Sequence, residues 1–264
     1  MSNFSTNNQP GFHYTNAGFT LGGDYWLTEN FLVGLNTGYN HTSTGIGGTG
    51  GSINANSIPV NAYSCFTARG FYADAILGYT RNDYDLGRNI VFGTINRTAQ
   101  GSTGGNQFQL AADTGYDFRV GNAIFGPTFS LYYLTLTTGS FTESNAGALN
   151  LSVPSQSASS VQTGLGARAV VKVQVGGVTL VPQVSAVWQH EYSDNTRGVD
   201  ARLAIGGSPM SFQTSQAGKD FAVVGVDLSA KFTKNITANV GYTAEVGRSN
   251  STNMGVNVGL RIAF

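Results

Sequence analysis

The sequence predicts an all-β protein: a transmembrane, up-and-down antiparallel β-barrel. Three observations carry that reading. Hydrophobicity alternates with a period of two along almost the whole chain. The connections between alternating segments are short and long in turn. One face of every strand body is nearly free of charge.

The last two strands set the pattern. Met254, Val256, Val258, Leu260, Ile262 and Phe264 alternate with Gly255, Asn257, Gly259, Arg261 and Ala263. Before them, Ile236, Ala238, Val240, Tyr242, Ala244 and Val246 alternate with Thr237, Asn239, Gly241, Thr243 and Glu245. Successive strand side chains point to opposite faces, so each strand has one apolar face and one polar or tiny face. The same reading gives eleven strands, over residues 14–27, 31–43, 59–67, 71–84, 104–119, 123–138, 158–175, 178–192, 219–232, 236–247 and 252–264. No segment carries a helical period. No run approaches the ~20 apolar residues of a spanning helix, and residues 1–10 lack the basic and apolar regions of a signal peptide.

The connections divide into two kinds. Short turns fall at Thr28-Glu29-Asn30, Ala68-Arg69-Gly70, Val120-Gly121-Asn122, Gly176-Gly177 and Thr233-Lys234-Asn235, where Gly and Asn supply the positive φ of tight hairpins. Long connections are expected over 44–58, 85–103, 139–157 and 193–218, with a shorter one at 248–251. Short and long ends in alternation describe a meander with two unlike ends, the layout of an outer-membrane barrel. A β-sandwich mixes its crossovers less regularly.

Composition decides which face meets which solvent. Of 264 residues only 11% are charged, against roughly 25% in soluble domains, and 36 are Gly. With 14 Lys+Arg and 14 Asp+Glu the chain is neutral, which leaves no electrostatic footprint for nucleic acid. Phasing the strands places Asp24, Asp74, Asp113, Asp117, Arg119, Arg168, Lys172, Glu191, Asp227, Lys231, Glu245 and Arg261 on the polar face. The apolar face of the strand bodies carries no carboxylate, Lys or Arg. Arg81 shares its phase but at a strand end, and His190 is its one ionisable ring. A lipid-facing charge costs ~2–4 kcal/mol at the midplane, which accounts for the exclusion. The polar face is too small and too uncharged for a soluble surface; it suits a confined, wet lumen.

Aromatics mark two rims. Tyr25, Trp26, Phe31, Phe66, Phe71, Phe118, Phe125, Phe232 and Phe264 lie near the short turns, and Tyr39, Tyr79, Tyr133, Trp188 and Tyr242 lie towards the long loops. Phe31/Tyr39, Phe71/Tyr79 and Phe125/Tyr133 are each eight residues apart, or ~26 Å of strand. Tilted by ~40°, that length crosses about 20 Å, close to the ~25 Å apolar band between aromatic girdles.

Several stretches resemble the autotransporter β-domain. They are Gly18-Phe-Thr-Leu-Gly-Gly-Asp-Tyr-Trp-Leu-Thr-Glu-Asn-Phe-Leu-Val-Gly-Leu-Asn-Thr-Gly-Tyr39; Gly70 to Tyr84 followed by Arg88; Trp188-Gln-His-Glu-Tyr192; Gly241-Tyr-Thr-Ala-Glu245; and Gly259-Leu-Arg-Ile-Ala-Phe264. The resemblance covers about residues 14–264. It implies a twelve-stranded translocator barrel of type V secretion in a Gram-negative outer membrane. The short turns would be periplasmic and the long loops extracellular. It also implies an exported N-terminal passenger and a helix threading the lumen. Val258, Leu260, Ile262 and Phe264 look like the family's signal to the barrel-assembly machinery. Outer-membrane lipid and lipopolysaccharide are the expected surroundings, and the barrel is expected to be a monomer.

The front departs from the pattern. Eleven strands leave the first and last running the same way, so they could close only in parallel, with a strained or open seam. Residues 1–13 are irregular and supply no clear first strand, so the expectation is a chain lacking its upstream part, with 14–264 as the barrel. The competing reading is a degenerate first strand within 1–13.

No catalytic residue, metal site or cofactor is expected. Gly45-Ile-Gly-Gly-Thr-Gly50 matches G-x-G-x-x-G but opens no helix. Cys65 is the one cysteine and has no evident partner, and His13, His41 and His190 are scattered. His190 reads as a rim residue. Glu191 reads as a contact for the lumen helix or, alternatively, as an ion-pair partner of Arg168, Lys172 or Arg261. Two other functional classes remain at this point: a stand-alone outer-membrane porin or adhesin working through 139–157 and 193–218, and a soluble all-β binding module whose apolar face is a core.

Overall fold

Strands rich in Val, Ile, Tyr, Phe and Thr with Gly and Asn between them favour hairpins, and hairpins in series make a meander. The computed structural model of the chain describes residues 11–48, 50–193, 198–213 and 217–264. The first strands are β1 (Phe12–Thr28), β2 (Phe31–Ile46), β3 (Gly51–Ala68), β4 (Phe71–Phe92) and β5 (Ile95–Tyr116). β6 (Phe118–Val120) continues β5 beyond Asp117, and β7 (Ala123–Thr138) follows. Between β7 and β10 (Gln156–Val171) come β8 (Phe141–Thr142), a 3-10 turn (Gly147–Leu149) and β9 (Leu151–Val153). β11 (Val173–Val175) extends β10, and β12 (Val178–Glu191) returns. β13 (Gly198–Leu203) and β14 (Met210–Gln213) precede β15 (Asp220–Lys231), β16 (Ile236–Val246) and β17 (Met254–Ile262).

Eleven of these run in one curled sheet in the order β1-β2-β3-β4-β5-β7-β10-β12-β15-β16-β17, every neighbour antiparallel. The odd number leaves β1 and β17 parallel, as the sequence requires. No backbone ladder joins them among the described residues; side chains do. The Tyr14 hydroxyl donates to Asn253 Oδ1 at 3.1 Å, and Arg261 Nη2 donates to Asp24 Oδ1 at 2.6 Å. The strands therefore curl until the two free edges stand within side-chain reach.

The apolar face is turned out. On β17, Val256, Val258 and Leu260 are 72%, 80% and 68% exposed, an arrangement that water would not support. The polar face is concave, and its side chains converge across intervening strands. Asn61 on β3 accepts from Gln109 on β5 at 3.2 Å and donates to Asn36 on β2 at 2.7 Å. Among the described residues no helix is long and apolar enough to cross a membrane.

Two expected long connections are corrected. Residues 44–58 and 85–103 are strand for most of their length: β2 reaches Ile46 and β3 starts at Gly51, while β4 and β5 meet at a tight turn between Phe92 and Ile95. These parts read as loops because they lie beyond the lipid band, where both faces are wet and the alternation fades. β1 begins at Phe12, so Phe12 and His13 of the expected irregular segment are strand, and residues 1–10 lie outside the described part. The Gly45–Gly50 stretch begins inside β2 and ends in the turn that follows, although Thr49 lies outside the described residues. Parts of the connections 139–157 and 193–218 are structured as well. β14-β13-β9-β8 form a small sheet, and the Gln100–Ser144 bridge attaches it to the upper part of β5.

Candidate functional site

The concave face holds most of the charges singled out in the sequence, and two ion pairs form among them. Towards the short turns, Arg168 Nε and Nη2 grip Asp117 at 3.0–3.2 Å, and the guanidinium lies 3.6 Å from the centre of the Tyr72 ring. Asp117 is available because the chain breaks between β5 and β6 at that residue, where its amide bonds to the Gly70 carbonyl at 2.7 Å. Asp113 accepts from the Thr128 hydroxyl at 3.0 and 3.2 Å. Asp24 accepts from both Arg261 and Tyr63, the latter at 3.2 Å. Cys65 stands directly opposite Asp74 in the β3–β4 register, beside that carboxylate on the concave face. Asp227 lies over Gly241, where a Cβ would run into its carboxylate. Lys172 and Lys231 stand at the short-turn ends of their strands.

At the other end Glu191 is corrected. It pairs with none of Arg168, Lys172 or Arg261. It accepts instead from the hydroxyl of Ser160, from Gln162 Nε2 at 2.9 Å, and from the amides of Val161 and Ser193 at 3.0 and 2.9 Å. Three residues past Trp188, it lies beyond the upper aromatic rim. Burial pushes its carboxyl up, but the four donors outweigh burial and hold it below the ordinary glutamate range. Glu245 forms a 3.8 Å ion pair with Arg248, whose guanidinium also lies over Phe221. Among the described residues no group of three or more His, Cys, Asp or Glu is placed to hold a metal.

The convex face carries both aromatic rims. Tyr25, Phe71, Phe118 and Phe125 are exposed near the short turns, and Tyr39, Tyr79, Trp188 and Tyr242 are exposed towards the loops. Phe31 and Tyr133 share their phase but are partly covered, Tyr133 against Phe108. Phase alone missed some charges on the part of this face beyond the upper rim, and Arg81, expected at a strand end, lies inside β4. Asp220 faces His190 with 2.8 Å between carboxylate and imidazole, and Trp188 and Tyr192 flank the ring. His41, two residues past Tyr39, and Asp83, two past Arg81, also fall on the convex phase. Val258, Leu260, Ile262 and Phe264 are all exposed at the β17 edge.

Beyond the upper rim the β4–β5 hairpin stands clear of the band and carries the small sheet. Arg88 Nε and Nη2 form a bidentate pair with Glu143 at 2.9 and 2.6 Å, and Nη2 also reaches the Leu149 carbonyl at 2.9 Å. The hydrogen bonding of Arg88 to the Glu143 carboxylate is the main reason its guanidinium holds its proton more tightly than usual. Arg97 caps the Ala146 carbonyl at 2.8 Å, and Ile90, Ala99 and Ala146 are buried together, with Ile95 and Leu149 packed against them. Nothing in the sequence near Glu143 marks it as the partner of a residue 55 positions earlier.

An all-β barrel with an apolar outside, a polar inside and two unlike ends defines a class, the outer-membrane β-barrels. The sequence model of the autotransporter β-domain matches residues 2–243, and the chain belongs to that family of outer-membrane translocator barrels. An "Extracellular serine protease" of Serratia marcescens is 25% identical over 259 residues, which cover 97% of this chain and 24% of that protein. "Esterase EstA" of Pseudomonas aeruginosa is 25% identical over 252 residues, or 93% of this chain and 38% of the relative. The chain thus spans about a quarter to two fifths of the length of these relatives. Among solved structures, the translocator domain of NalP from Neisseria meningitidis superposes with a TM-score of 0.77 at 17% identity, covering 100% of this chain and 84% of that one. The β-domain of Bordetella BrkA gives 0.68 at 15% identity, covering 100% and 95%. These likenesses establish the fold.

Proposed function

We propose that this barrel anchors an N-terminal passenger in the outer membrane and carries it to the cell surface. The observation that carries this reading is the concave face itself. It is lined by hydrogen-bonded Asn, Gln, Ser and paired charges from the Arg168–Asp117 end to the Glu191 end, so a polypeptide inside meets donors and acceptors instead of lipid. Part of the lumen-facing charge is pre-paired or solvated, in Arg168–Asp117, Arg261–Asp24, the Thr128–Asp113 bond and the four donors on Glu191, and this lowers the field that a polypeptide inside meets. A helix or hairpin leading from the passenger occupies that space. The short turns lie on the periplasmic side and the small sheet on the outside. The edge of β17 with Val258, Leu260, Ile262 and Phe264 is what the assembly machinery reads, and the barrel works as a monomer without catalysis of its own. The protease and esterase named among the relatives are activities of those whole proteins, and the soluble-module reading falls with the family.

Fusing a signal peptide and a small reporter ahead of residue 11, and expressing the fusion in a Gram-negative host, tests this. Protease added to intact cells should remove the reporter. A reporter protected in intact cells but cleaved after outer-membrane permeabilisation would overturn export and leave a barrel that only sits in the membrane.

A further inference from the structure

One motif is absorbed by neither the pore nor the outer sheet. Arg81 lies on the lipid-facing phase of β4, a face whose strand bodies exclude Lys and Arg. It stands two residues past the rim residue Tyr79, about 5 Å further out along the membrane normal for a tilted strand.

Its setting is built. Asn106 Oδ1, on the neighbouring β5, accepts from the Tyr79 hydroxyl at 2.8 Å and from Arg81 Nη1 at 3.2 Å. One side-chain oxygen thus ties the ring and the guanidinium together. Further along β5 is Gly104, where a Cβ would run into Arg81 Nη2. The missing side chain lets the guanidinium lie flat across the strand. Asp83 approaches Nη2 only to 3.6 Å, and the Arg81 side chain remains 52% exposed. The arrangement is repeated on β2 and β3: the Tyr39 hydroxyl and His41 Nδ1 both meet Asn56 Oδ1, at 2.6 and 2.9 Å. In both places a girdle tyrosine and a nitrogen base two residues beyond it share one asparagine.

We infer that the Tyr79–Arg81–Asn106 cluster is a docking site for the phosphate of a phosphorylated glycolipid headgroup in the outer leaflet, with Tyr39–His41–Asn56 flanking it. The inference rests on the outer-membrane reading above. The order of groups outward from the band matches such a lipid. On β4 the exposed Leu77 meets acyl chains, the Tyr79 hydroxyl lies at the boundary, and the Arg81 guanidinium meets the phosphate one step above. A planar guanidinium held at one edge by Asn106 keeps its other N–H groups for a bidentate contact with phosphate oxygens. Asp83 and Asp85, the next outward positions, are exposed and together more than offset the single Arg81 charge. They are placed to share the divalent cations that accompany such phosphates, so magnesium belongs in the test.

The full chain is folded into phosphatidylcholine vesicles with magnesium, plus either diphosphorylated lipid A or lipid A with its phosphates removed. The midpoint of heat-induced loss of the compact gel band is then read. The phosphorylated lipid should raise the wild-type midpoint by about 3 °C or more. The dephosphorylated lipid should not, and inorganic phosphate should not substitute for it. Arg81→Gln should lose most of the rise, while Arg69→Gln, in a short turn at the opposite end, should keep it. An equal rise with dephosphorylated lipid, an equal rise with free phosphate, or a full rise in Arg81→Gln would each overturn the proposal. The two-lipid comparison on wild-type protein decides the matter even if a variant fails to fold. Failure to fold in any vesicle would instead count against the outer-membrane barrel.

Discussion

Glu143 is the residue from which the outer sheet hangs. Its carboxylate is 8% exposed, takes both arms of Arg88, and accepts the Leu151 amide at 2.8 Å. Glu143→Ala removes three contacts at once, leaving the Arg88 guanidinium with only the Leu149 carbonyl and the Leu151 amide without its acceptor, a loss of about 2–3 kcal/mol. That cost falls on the docking of residues 139–153, not on the barrel. Limited proteolysis should therefore cut the segment in the variant while the folded barrel still migrates as a compact band; a variant as resistant as wild type would show that the apolar contacts around Ala146 suffice. Glu191 makes a second prediction at this scale. Its folded-state pKa lies below the unfolded one, so its contribution is fully present above the ordinary glutamate range and is lost as pH falls through the lowered value. Hydrogen exchange at the Val161 and Ser193 amides should stay slow from neutral pH down into the ordinary glutamate range. It should rise only at more acid pH, and Glu191→Gln should flatten that profile. Exchange that rises equally in the variant would mean the four donors do not depend on the charge.

Elements were legible where their two faces meet different solvents. β16 and β17 announced themselves because Val240 and Val258 must face lipid while Asn239 and Asn257 must not. The upper halves of β3, β4 and β5 did not, since Ser52, Asn54, Asp85 and Ser102 are polar on a face that is wet there anyway. Periodicity reports a boundary between environments, and above the band there is none. The pairing of Arg168 with Asp117 was hidden for another reason: it depends on which strands lie two apart and on a break in β5, and a single strand's alternation contains neither. That break gives a prediction at the element scale. Gly70 has φ +91° in the β3–β4 turn, and a Cβ there would press on the Asp117 carbonyl and the Tyr116 ring. Gly70→Ala combines strained backbone with that contact and should cost about 1–3 kcal/mol, lowering the urea midpoint of the detergent-folded barrel. An unchanged midpoint would show that the turn shifts freely and that its bond to Asp117 contributes nothing.

For the molecule as a whole, stability depends on an inverted arrangement: apolar side chains outside, hydrated polar ones inside, and two parallel edges held by Tyr14–Asn253 and Asp24–Arg261 instead of a ladder. The scarcity of charge and the excess of glycine follow from that geometry, because one face of each strand must suit lipid and the other must fit a crowded concave space. The decisive comparison uses two neighbouring residues of β16. Val240 is 44% exposed on the convex face and pairs with Val258; Asn239 points the other way, beside Asn257. In water-soluble proteins an exposed valine is the tolerant position and a converging asparagine the sensitive one. Here the order reverses. Val240→Arg places a cation towards the middle of the lipid band at a cost of about 2–4 kcal/mol, whereas Asn239→Arg puts the same charge among polar groups that can solvate it. Folding yield into vesicles, read by heat-dependent gel migration, should fall steeply for Val240→Arg and stay near wild type for Asn239→Arg. The opposite ranking would mean that the convex face does not meet lipid, and the barrel would have to be turned inside out.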